Sequence, residues 1–76
     1  MKKLIEDIVK YIVENPSDVR VNELSGEKTN LFELRLNKED VGKVIGKGGK
    51  TVGSIRSLVS TLSIRDGKRS ILEVVE

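Results

Sequence analysis

Leu4, Ile5, Ile8, Val9, Ile12 and Val13 recur at the spacing of one helix face, which predicts an amphipathic helix at the start of the chain. Pro16 restricts Asn15 to extended backbone and ends that helix. The rhythm then changes from helical to alternating. Val19 to Ser25 reads as a strand with Val19 and Val21 on one face, and Gly26-Glu27-Lys28-Thr29-Asn30 as a turn. Leu31 to Leu36 is the next strand, with Phe32, Leu34 and Leu36 on one side and Glu33 and Arg35 on the other.

Asn37 is placed to cap a short helix, with Asp40 three residues on as the second half of a capping box. That helix runs through Val41, Val44 and Ile45 and stops at Gly46-Lys47-Gly48-Gly49, because three glycines in four residues cannot sustain it. A further helix runs from Lys50 to about Leu62, burying Val52, Ile55, Val59 and Leu62. Asp66-Gly67 marks a turn, and Arg69 to Val75 reads as the last strand.

The order α-β-β-α-α-β implies an α+β fold. Leu31–Leu36 and Arg69–Val75 are joined by a long helical crossover, which makes them parallel. Val19–Ser25 follows a short loop and pairs antiparallel with Leu31–Leu36. The expected architecture is a three-stranded mixed sheet covered on one face by three helices.

With 76 residues the chain is read as a single domain, residues 1–76, with a thin core. It has no Cys and no His, which removes disulfides, thiolate metal sites, the commonest metal ligand and the usual general base. A non-catalytic protein without metal or cofactor is expected. Glu6, Asp7 and Lys10 interrupt the first apolar segment, unlike a signal peptide, and no run approaches a bilayer span, so a cytoplasmic location is expected.

The net charge of +2 is unevenly spread. From Val41 to Arg65 there are five basic residues (Lys43, Lys47, Lys50, Arg56, Arg65) and no acidic one, while the remainder carries nine basic and twelve acidic residues. A positive patch on a mildly acidic body points to a polyanionic partner.

The patch coincides with the glycine loop. Glycine lets backbone approach a phosphate closely, and a helix starting at Lys50 brings free N–H groups and a positive dipole end to the same place. Lys43, Lys47 and Lys50 add charge beside it. The expected device is a clamp for a sugar–phosphate backbone, with the amides of Gly46 through Lys50 offered to it. Nucleotide-binding alternatives fail on spacing: a Walker A loop needs glycine where Val44 stands, and a dinucleotide fingerprint needs glycine at Thr51.

Ile45-Gly46-Lys47-Gly48-Gly49-Lys50-Thr51-Val52 resembles the signature of KH domains, with Val52 where isoleucine is more usual. The element order matches the type II arrangement. Lys2–Asn15, the run Glu39–Lys47 and the ending Asp66-Gly67-Lys68-Arg69 resemble the small single-KH bacterial proteins of the KhpA family, in which bulkier polar residues are common at the position of Gly48.

The resemblance implies an RNA-binding protein that holds about four nucleotides of single-stranded RNA, with the backbone on the loop and the bases against aliphatic side chains. It also implies a homodimer or a complex with a KhpB-like RNA-binding partner, RNA chaperoning or post-transcriptional regulation, and an influence on cell-wall synthesis and cell shape. An alternative reading is a protein-interaction subunit whose fold serves mainly assembly.

One Phe and one Tyr leave little aromatic stacking surface, so base contact must be aliphatic. Val41, Val44, Ile45 and Val52 are the candidate wall, each equally a core candidate. Arg56 is a candidate phosphate contact from the second core helix. Gly42 and Gly53 lie inside predicted helices and are read first as close helix packing, second as clearance for a bound strand. Lys38, Lys68 and Arg69 are read as ordinary surface charge. Neutralising three to four phosphates implies a log–log salt slope of about −2 to −3.

Overall fold

The computed structural model describes residues 1–75, running through helix α1 (Lys2–Ile12), strands β1 (Arg20–Ser25) and β2 (Thr29–Arg35), helices α2 (Val41–Ile45) and α3 (Lys50–Ile64), and strand β3 (Arg69–Val75). Tight 3-10 turns at Pro16–Asp18, Lys38–Asp40 and Lys47–Gly49 fill three of the connections. The α+β class and the element order are those the sequence implies.

The sheet order is β1-β2-β3, with β1 antiparallel and β3 parallel to the central β2. Gly26 N–H donates to the Thr29 carbonyl at 2.8 Å and closes the β1–β2 hairpin. Alternation along each strand then separates two faces. Val21, Phe32, Leu34 and Leu72 turn toward the helices and are buried. Leu24, Leu31 and Ile71 lie in one cross-strand row on the opposite face, which no helix covers; Leu24 and Ile71 are 53% and 43% exposed.

Ile5 and Val9 of α1, Val44 of α2, and Val52, Ile55 and Val59 of α3 complete the core around Phe32. α1 ends earlier than Pro16 requires. Its backbone turns extended at Val13 (φ −89°, ψ 160°), and Pro16 opens the following 3-10 turn, where its fixed φ fits.

Asp40 departs from the sequence expectation. Asn37 caps the turn before α2 through its own Oδ1, which accepts from Glu39 N–H at 2.9 Å, but Asp40 does not complete a capping box. Its side chain turns inward, 1% exposed, and accepts from the backbone N–H groups of Glu14 (3.1 Å) and Asn15 (3.0 Å) and from Asn15 Nδ2 (3.0 Å). Burial opposes the charged form. The three hydrogen bonds and the nearby Lys43 ammonium outweigh it and hold the carboxyl below its ordinary value of 3.8. Asp40 thus ties the exit of α1 to the entry of α2 and fixes the ground on which the glycine loop stands.

Candidate nucleic-acid interface

The loop between α2 and α3 is set by backbone conformations that favour glycine. Gly46 (φ 74°), Gly48 (φ 65°) and Gly49 (φ 77°) all have positive φ. Gly46 has a second constraint. A Cβ there would stand 2.8 Å from Thr51 Cβ and 3.0 Å from the Thr51 amide nitrogen, and closer still to Thr51 Oγ1. The chain therefore folds tightly over the first turn of α3 only because Gly46 has no side chain. At Gly48 and Gly49 a Cβ would meet nothing within 4 Å, so these two face open space.

Part of the amide supply expected of this loop is already committed. Gly46 N–H donates to the Gly42 carbonyl at 3.0 Å, Gly49 N–H to the Gly46 carbonyl at 3.1 Å, and Lys50 N–H to the Lys47 carbonyl. The amides of Lys47 and Gly48 stand outside these turns. The bare-amide surface is narrower than Gly46 through Lys50, because a tight turn must satisfy its own backbone first.

The lysines divide in the same way. Lys47 and Lys50 are exposed, and neither pairs with a carboxylate among the described residues. Lys43 does: its Nζ meets Glu14 Oε1, two residues past the end of α1. The basic stretch has no acid within it, but the fold brings one from a distant segment.

The candidate apolar wall is also corrected in part. Val44 has no exposed surface and Val52 is 5% exposed, so both lie in the core and support the loop from behind. Val41 is half-buried against that core, and only Ile45, 38% exposed, offers a substantial apolar face beside the loop. Close helix packing does not explain Gly42 or Gly53, since a Cβ at either meets nothing within 4 Å.

Arg56 lies on α3, roughly 9 Å along the axis from Lys50 at 1.5 Å rise per residue. Its Nε and Nη2 both donate to the Leu72 carbonyl at 3.2 Å. Arg69 N–H points to β2, donating to the Lys28 carbonyl, so Ser70, Leu72 and Val74 turn their backbone groups to the open edge of β3. Between that edge and α3 runs a groove of about 470 Å³, lined by Arg56, Ser60, Arg69, Ser70, Leu72 and Glu73 among others. Arg69, read from sequence as surface charge, lines it. The hydroxyls and outward backbone of this groove carry no sequence signature, because they depend on β3 being an edge strand.

The family model for the KH domain of KhpA/KhpB matches residues 2–74. The chain belongs to that family. Among similar curated proteins, the RNA-binding protein KhpA of Clostridium perfringens is 43% identical over 75 residues, covering 99% of this chain and 100% of the relative. KhpA of Chlamydia pneumoniae is 40% identical over 76 residues, covering 100% and 97% of the two chains. KhpA of Aquifex aeolicus is also 40% identical over 76 residues, covering 100% and 96%. No solved structure matches the chain significantly. The sheet order, the α2–loop–α3 unit and the parallel crossover are consistent with a type II KH domain. Among the described residues, no group of acidic side chains is arranged to hold a metal ion, and no helix is long and apolar enough to cross a membrane.

Proposed function

We propose that this KH domain binds single-stranded RNA without catalysing a reaction, gripping the sugar–phosphate backbone at Gly46-Lys47-Gly48-Gly49. The observation that carries the reading is a loop in which Gly48 and Gly49 leave open space beside Lys47 and Lys50, whose ammonium groups pair with no carboxylate among the described residues. The amides of Lys47 and Gly48 are the candidate backbone donors, and the α3–β3 groove with Arg56 is the candidate seat for bases. The relatives' names, RNA-binding protein KhpA, support the same reading. Family membership extends the proposal to a cytoplasmic protein acting with a KhpB-like partner in RNA chaperoning or regulation, with effects on cell-wall synthesis and cell shape.

The decisive experiment combines Lys47→Asp with Gly48→Asp. Lys47 is exposed, Gly48 has room for a side chain, and Asp tolerates positive φ better than most residues. Circular dichroism should stay native while binding to a short oligoribonucleotide falls at least tenfold. A native fold that binds RNA undiminished would place the site elsewhere.

A second reading, assembly through a second copy of the chain, is favoured by the uncovered row Leu24, Leu31 and Ile71. On β3, Arg69 precedes and Glu73 follows Ile71 on the same face, so a two-fold axis along the row sets each Arg69 against the other copy's Glu73. Sedimentation of the chain and of Ile71→Glu tests this reading; a chain that stays monomeric at high concentration speaks against it.

A further inference from the structure

We propose that Glu14 competes with bound RNA for Lys43 and thereby sets the affinity of the glycine loop. The inference rests on the RNA-binding reading and adds to it a residue from outside the loop. Lys43 projects from α2, one turn before Gly46, where its charge is suitable for a phosphate. Glu14 Oε1 occupies that ammonium instead.

The placement of Glu14 is built into the fold. Its backbone N–H is one of the three donors held by the buried Asp40 carboxylate, so the end of α1 is fixed against the entry of α2. Lys43 also feels the charge of Asp40, which its ammonium helps to keep ionised. Lys43 therefore faces two carboxylates of its own chain, whereas Lys47 and Lys50 pair with none among the described residues.

The Lys43–Glu14 pair is solvent-accessible, with the two side chains 42% and 73% exposed. An exposed pair of this kind is weak enough for an incoming phosphate to displace, yet an anion beside the site also repels the strand. Glu14 thus acts as an affinity-setting residue: by competing for the Lys43 ammonium it holds single-site affinity down for any phosphate-bearing strand.

The test measures oligoribonucleotide binding to the whole chain across a salt series for Glu14→Gln, Lys43→Gln and the double variant. Glu14→Gln keeps the backbone N–H that Asp40 binds, so the fold stays intact by circular dichroism. It should tighten binding about two- to fivefold at low salt, the range of exposed ion pairs. The log–log salt slope should steepen by about 0.7, one further phosphate on a single strand. Lys43→Gln should cost little in the parent chain and at least twofold more in the Glu14→Gln background.

Unchanged affinity and slope in Glu14→Gln, or an equal cost of Lys43→Gln in both backgrounds, overturns the role of Glu14. The loop reading fails separately: it falls if the Lys47→Asp and Gly48→Asp variant binds as the parent does, whatever Glu14 does.

Discussion

Gly46 and Gly53 are the same amino acid under opposite constraints. At Gly46 both the positive φ and the Thr51 side chain exclude a Cβ. Gly46→Ala should therefore lower stability by about 1–3 kcal/mol from the backbone alone, with more from the contact with Thr51. Gly53 lies in regular helix with open space beside it. Gly53→Ala should raise stability by about 1 kcal/mol, both changes being read by urea denaturation. If the stabilised Gly53→Ala chain also loses RNA affinity, its open space is strand clearance. Sequence reasoning found the loop glycines because they interrupt a helical pattern. It misjudged the helical ones because spacing along a chain does not say which side of a helix is empty. Val44 and Val52 were ambiguous for a related reason: an aliphatic side chain suits a core and a base-binding wall equally.

Among elements, the strands and the long helices follow from periodicity, and their ends shift by up to three residues where capping and turns take over. α1 stops at Ile12 because Val13 turns extended, and β2 starts at Thr29 because the hairpin closes on Gly26. The joint between α1 and α2 was not legible. Asp40 looks like a capping partner for its own turn, and only the fold brings Glu14 and Asn15 to it. Its depressed pKa has a stability consequence with a definite sign. The contribution is fully present above the unfolded value near 3.8 and is lost as pH falls through the lower folded value. Asp40→Asn should lower the melting temperature at pH 7, and that deficit should shrink steadily below about pH 4. An equal deficit at pH 7 and pH 2 would mean that the carboxylate charge is not what holds the joint.

For the whole molecule, charge along the chain and charge in space give different counts. The stretch from Val41 to Arg65 holds five basic residues and no acid, yet folding sets Glu14 on Lys43 and turns Arg56 onto the Leu72 carbonyl. Arg56 keeps its charge beside a neutral carbonyl, so with Lys43 paired three or four cations remain for phosphates, which gives a log–log salt slope of about −2.1 to −2.8 for a single strand. Filter binding between 50 and 200 mM salt reads this; a slope of about −3.5 would mean that Lys43 also leaves Glu14 for a phosphate. The Arg56 contact has a consequence apart from nucleic acid. β3 is a terminal strand whose outward carbonyls and amides form a template on which another polypeptide can crystallise one layer at a time. A guanidinium plugged into the middle of that template works as a stopper, so Arg56→Ala should turn cloudy on storage at millimolar concentration while the parent stays clear by light scattering.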